Sequence, residues 1–314
     1  MRKNITSPLL LLLAAMIWGF AFAAQAAASS VPAFTLGAAR SFVAAIFLIF
    51  VIIFMDSCFK NGRKLFSKRG IDLNRYEIIG GVILGVILAA ASAFQQIGIN
   101  KGTDGGKAAF ITALYVVLVP IYALAMKKKA PINVWISVGI SVVGFYLLCI
   151  TEELSIARSD LFVLISSLIF PIHILTIDVF SPKCDGVRMS AVQFFTCAAV
   201  NALIALFTEM PLDMELVVSC LPHIIYLGVA SSGIAYTLQI IGQKGVQPAA
   251  ASIILSLESV FGVIGTALFL KERLSAREYV GCAVVLIAVI LSQLDFKTIK
   301  IRSDKKGEEN EEIH

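Results

Sequence analysis

The chain has 314 residues, 58% hydrophobic and 15% charged, with a formal net charge of +5. A soluble domain carries about 25% charged residues, which it needs to cover a water-facing surface. This composition therefore excludes an ordinary soluble enzyme or binding module and sends most of the apolar surface into lipid.

Crossing the hydrocarbon takes a helix of about 20 mostly apolar residues. The first such run, 8–28, follows Met1-Arg2-Lys3-Asn4 and ends around Ala24-Gln25-Ala26, which resembles a signal peptide with a small-residue cleavage site. Its length exceeds the usual signal core of about 7–15 residues, and it has a counterpart later in the chain. It reads as a retained first helix. Runs at 35–55, 77–99, 106–126 and 132–150 follow, and a second group of five falls at 160–180, 190–208, 221–242, 248–270 and 277–294. Short polar segments such as Ser29-Ser30-Val31-Pro32 and Lys127-Lys128-Lys129-Ala130-Pro131 punctuate them. A membrane barrel is excluded, because its strands alternate over about 10 residues. The expected fold is all-α, a polytopic membrane protein of ten transmembrane helices. The units expected are 5–150, 159–294 and a charged cytoplasmic tail, 295–314, which the composition reads as disordered.

Lysine and arginine collect on the cytoplasmic side. With ten helices and a cytoplasmic N-terminus, the outer segments hold only Arg40, Lys101, Lys107, Arg158, Lys271, Arg273 and Arg277 of the 26 basic residues. Both termini are expected in the cytoplasm of a cell whose plasma membrane the chain spans. The net charge is thus a topology signal, and no nucleic-acid partner is implied.

Six cysteines, Cys58, Cys149, Cys184, Cys197, Cys220 and Cys282, show no metal or redox spacing. Three scattered histidines, His173, His223 and His314, do not make a zinc site. No nucleophile elbow or phosphate-binding loop is present in the sequence, so no cofactor and no metal are expected. Asn4-Ile5-Thr6 is a glycosylation sequon on the cytoplasmic side of this topology.

The chain also repeats itself. Shifted by 143 residues, Gln96-Ile97-Gly98-Ile99-Asn100-Lys101-Gly102 lies over Gln239-Ile240-Ile241-Gly242-Gln243-Lys244-Gly245. A shift of 152 puts Trp18 over Phe170 and Phe42 over Phe194. Two units of five helices inserted in opposite senses are expected, an arrangement typical of secondary transporters.

Trp18-Gly19, Arg40 in a helix of small residues, and Leu257-Glu258-Ser259-Val260-Phe261 followed by Lys271-Glu272-Arg273-Leu274-Ser275 carry a family resemblance. They resemble the drug/metabolite transporter superfamily, specifically tandem EamA domains, over about residues 5–294. The resemblance implies two inverted repeats around a shared central cavity, and a function in moving amino acids, other metabolites or drugs, often outward. Where the family pattern usually has proline after the glutamate, Ser259 stands here, so a kink at that point is not implied.

Candidate site residues follow from helical spacing. Gly81, Gly85, Ala89, Ala93 and Gln96 share one stripe, and Gly228, Ser232, Tyr236 and Gln239 share another. The small members let helices approach closely, whereas an amide or phenol in the bilayer must find a partner or line a polar cavity. Glu258, near the middle of its helix, is the sharpest candidate, since a charged carboxylate there costs about 2.5–3.5 kcal/mol. It could couple transport to protons, face a substrate amine, or join helices as a neutral hydrogen-bonding group. Its ungapped counterpart is Tyr115, which shares a face with Thr112 and Tyr122. Arg40 could hold a substrate carboxylate or snorkel to the outer headgroups. Trp18 lies too deep for an interfacial belt and reads as a cavity wall or a core aromatic, and His173 reads as a packed histidine. The expected substrate-binding set is Trp18, Arg40, Gln96, Tyr115, Tyr236, Gln239 and Glu258, with membrane lipid and a small polar metabolite as partners. A membrane-embedded enzyme would need a catalytic constellation that the sequence does not display. A receptor or assembly protein would normally show a sizeable soluble domain, and the longest internal loop, 56–76, is too short for one.

Overall fold

The computed structural model describes residues 5–58, 73–149, 157–270 and 275–294. The tail 295–314, Lys271-Glu272-Arg273 and most of the 56–76 loop lie outside these residues. Helices and their connections account for all of the described chain, which contains no strand. Among the described residues, nine helical stretches are long and apolar enough to cross a membrane, and Ile132–Leu147 is apolar but shorter than the rest.

The first half comprises α1 (Thr6–Ala27), α2 (Ala33–Cys58), α3 (Arg75–Asn100), α4 (Gly105–Ala113), α5 (Tyr115–Ala125) and α6 (Ile132–Cys149). The second comprises α7 (Arg158–Phe180), α8 (Gly186–Thr208), α9 (Met214–Ser219), α10 (Leu221–Tyr226), a π-helical segment (Leu227–Tyr236), α11 (Thr237–Gln243), α12 (Pro248–Leu255), α13 (Glu258–Leu270) and α14 (Ala276–Gln293). Polar caps stand where several helices begin. Asn74 and Glu77 form a capping box on α3, Asp104 caps α4, Asp185 caps α8, and Ser275 with Glu278 caps α14. Each supplies an acceptor to backbone N–H groups that the helix itself leaves unpaired.

Three of the expected continuous runs are interrupted. The run 106–126 breaks at Leu114, and 248–270 breaks at Ser256-Leu257. At both places the backbone tightens to i→i−3 bonding, Leu114 N to Ile111 O and Leu257 N to Ile254 O. A break therefore exists beside Ser259 without a proline. The run 221–242 contains the π-helical segment. Expansions of this type accommodate an extra residue in a helix and are frequent at functional sites.

The halves interlock. α1 packs on the π-helical segment, α11, α12 and α13; α2 packs on α8; α3 packs on α7 and α8; and α14 packs on α6. Contacts made by one half recur in the other with their partners exchanged. A Cβ on Gly85 would meet the Gln193 carbonyl and Thr196, and one on Gly228 would meet the Arg40 carbonyl and Val43. Likewise Gly98 abuts Ser159 O and Val163, while Gly242 abuts Ser7 O and Leu11. Asn100 donates to Val31 O at 2.9 Å, and Lys244 donates to Cys184 O at 2.6 Å. Glu209 accepts from Phe34 N, Thr35 N and Thr35 Oγ1 at one end of the α2–α8 pair, and Asp56 pairs with Arg188 at the other.

These equivalences correct the register expected from sequence. Gly85 and Gly228 are 143 apart, but Gly98 and Gly242, beyond the π-helical segment, are 144 apart. The segment absorbs the extra residue. In α2 and α8 the offset is 153, so Phe42 corresponds to the exposed Phe195 and not to the buried Phe194.

The close approach of α3 to α8 gives the first prediction. A Cβ at Gly85 would lie 2.5 Å from the Gln193 carbonyl oxygen, whereas one at Gly139 meets nothing within 4 Å. Gly85→Ala should cost about 1–3 kcal/mol through overpacking and Gly139→Ala almost nothing. Melting temperatures of the two purified variants in one detergent check the difference; equal values would contradict the packing.

Candidate functional site

One cavity lies between the two halves, with about 50 Å³ open to the centres of water-sized groups, room for a few such groups. α1 lends it Trp18, Phe22 and Gln25; α2 lends Arg40; α3 lends Gln95; α4 and α5 lend Thr112 and Tyr115. From the second half come Phe170 and His173 on α7, Ser231 and Tyr236 of the π-helical segment, Gln239 on α11, Leu255 on α12 and Glu258 on α13.

The helix interruptions place the key groups. Tyr115 and Glu258 are the first residues of α5 and α13, immediately after the tightened turns. An acidic side chain in a first helical turn meets the positive end of the helix dipole. The Tyr115 phenol stands beside the Glu258 carboxyl. Neither Tyr115 Oη nor Glu258 Oε1 meets the geometry of a hydrogen bond with any described residue.

The π-helical segment builds the aromatic wall. Its Ser231 carbonyl accepts a hydrogen bond from Trp18 Nε1 at 3.0 Å. Tyr236 lies between Trp18, with ring centroids 4.6 Å apart, and the edge-on rings of Phe194 and His173 at 5.6 and 5.7 Å. His173 Nε2 is 3.2 Å from Gln193 Oε1, which orients the imidazole.

Arg40 is buried, and no carboxylate among the described residues lies within ion-pair distance of it. The ion pairs formed elsewhere are Lys107 with Asp160, Lys128 with Asp178, and Arg188 with Asp56 and Asp185. Among the described residues, the cavity lining therefore holds one guanidinium and one carboxyl group, neither of them in an ion pair. No group of three or more His, Cys, Asp or Glu that could hold a metal occurs among the described residues.

Six of the seven residues singled out from sequence, Trp18, Arg40, Tyr115, Tyr236, Gln239 and Glu258, line this one cavity. Gln96 does not. Its amide nitrogen donates to Gln25 O at 3.2 Å and Asn100 Oδ1 at 2.7 Å, bracing α3 against α1. Its neighbour Gln95 faces the cavity instead. The one-residue register change across the π-helical segment is the reason: Gln95, 144 residues before Gln239, is the equivalent position. Gln25, Thr112, His173 and Ser231 also line the cavity. Thr112 was marked by its shared helical face with Tyr115, whereas Gln25 and Ser231 carried no signal of their own.

A polytopic helical bundle with a small cavity between two related halves, lined by apolar, polar and ionisable side chains, defines a membrane transporter architecture. The chain belongs to the EamA-like transporter family, whose model matches residues 5–150 and 157–294. It is similar to a protein named uncharacterized transporter from Archaeoglobus fulgidus, 28% identical over 295 residues, covering 93% of this chain and 87% of that one. A crystal structure with a TM-score of 0.71 covers 91% of this chain and 96% of its own at 15% identity, which supports the fold alone. The protein is a membrane transporter.

The Trp18 bond yields the second prediction. Trp18→Phe keeps an aromatic wall but removes the donor to the Ser231 carbonyl, and should cost about 0.5–1.5 kcal/mol. Chemical or thermal unfolding in detergent measures it, and an unchanged midpoint would show that the bond contributes nothing.

Proposed function

We propose that this transporter carries small zwitterionic metabolites, amino acids or close relatives, by alternating access across the plasma membrane. The observation that carries the reading is that one basic and one acidic side chain, Arg40 and Glu258, line the same cavity with no ion pair among the described residues. Leaving an ionisable group unpaired in the bilayer interior is costly and marks a functional position. Arg40 suits a substrate carboxylate, which its planar donors can grip through two bonds. Glu258 suits the ammonium group, or takes up a proton when the cavity is empty and so couples transport to a proton gradient.

Ten crossings in two inverted five-helix repeats, with both termini cytoplasmic, fit this cycle. The exchanged contacts of the halves support it, because two related halves can open one central site alternately to either side. The outward direction rests on the family resemblance.

Counterflow into proteoliposomes tests the substrate class. Radiolabelled amino acids should exchange, whereas sugars and nucleosides should not; the reverse result would overturn the reading. Glu258→Gln and Arg40→Gln should each lower amino-acid exchange at least about tenfold, the equivalent of ~1.4 kcal/mol, with normal membrane insertion. Full pH-dependent exchange by Glu258→Gln would remove that residue from the mechanism. For the topology, an impermeant thiol reagent on intact cells should label Met214→Cys and spare Lys129→Cys.

A further inference from the structure

The two halves present the same amide to the cavity but not the same partner for it. In the first half, Gln95 Nε2 donates to Thr112 Oγ1 at 2.9 Å, and both residues line the cavity. The equivalent positions in the second half are Gln239 and Leu255, which also line it. Where the first half has a hydroxyl, the second has a methyl-tipped chain that can neither give nor accept a hydrogen bond. Gln239 is only 2% exposed, makes no hydrogen bond with any described residue, and has its Oε1 buried without a partner.

Buried side-chain amides in folded proteins are almost always paired, because burial strips them of water without return. An orphaned one that borders a cavity has its partner outside the polypeptide. We propose that Gln239 reads the side chain of the transported molecule, bonding a hydroxyl or amide there, and that Leu255 keeps this amide free to do so. The inference rests on the amino-acid reading above, in which Arg40 and Glu258 take the two charged groups and leave the side chain to be read by others. It names the substrate class more narrowly, as amino acids with a hydrogen-bonding side chain.

The orphaned amide gives an effect of opposite sign on stability and on selectivity, which a packing role would not produce. L-serine and its isostere L-2-aminobutyrate, in which a methyl replaces the hydroxyl, serve as probes. The wild-type protein should favour serine at least about tenfold in uptake efficiency, since a site built around a hydrogen bond rejects the analogue that lacks it. Gln239→Leu should bring the two probes within about twofold and raise the melting temperature of the substrate-free protein. Leu255→Thr, which copies Thr112, should also raise the melting temperature and weaken serine uptake by occupying the amide internally. Gln96→Leu is the control, because that amide lies outside the cavity and its nitrogen is bonded to Gln25 O and Asn100 Oδ1; it should lower the melting temperature and leave the serine preference intact. A Gln239→Leu variant that keeps the preference, or melts lower than wild type, would overturn the proposal. Equal wild-type uptake of both probes would overturn it too while leaving the amino-acid reading standing, whereas exchange of sugars or nucleosides in place of amino acids would remove that reading itself.

Discussion

Inside a bilayer no water is available to a polar group that lacks a protein partner, so every buried donor, acceptor or charge must be paired or must face a cavity. The arrangement of this transporter follows from that constraint. Toward the helix ends, carboxylates, amides and lysines satisfy backbone and side-chain groups, as Glu209 does for the start of α2 and Lys244 does for the Cys184 carbonyl. Around the cavity, Gln239 Oε1 and Glu258 Oε1 have no partner among the described residues and Arg40 has no carboxylate among them, and all three border one small space.

The backbone obeys the same rule. Two tightened turns, at Leu114 and Leu257, interrupt otherwise continuous helices and place Tyr115 and Glu258 at the starts of α5 and α13. Irregular backbone at membrane depth is tolerated where protein surrounds it or where it lines a cavity. The π-helical segment is the third irregularity, and one of its carbonyls is taken by Trp18. Together these three features supply Tyr115, Ser231, Tyr236 and Glu258 to the cavity.

The halves are related but not identical, and the differences lie where chemistry is needed. Tyr115 stands opposite Glu258, Gln193 corresponds to Arg40, and Leu255 replaces Thr112. A symmetric cavity would present either two cations or none, two carboxyls or none. Divergence of the repeats gives one of each, while the shared contacts at Gly85 and Gly228, and at Gly98 and Gly242, keep the helices at matching separations.

Much of this was legible in the chain itself. Apolar runs near 20 residues dictate helices in lipid, because hydrocarbon thickness sets helix length, and six of the candidate residues follow from polar side chains standing in such runs. Sequence could not show that Gln95 and not Gln96 reaches the cavity, since both are glutamines toward the C-terminal end of one helix and an ungapped shift favours the wrong one. Only the tertiary structure reveals the extra residue, because a π-helical turn changes hydrogen bonding without changing composition. Nor could sequence show that Gln239 lacks a partner while Gln95 has one. Pairing is a property of what a neighbouring helix places within 3 Å, and that is decided by packing.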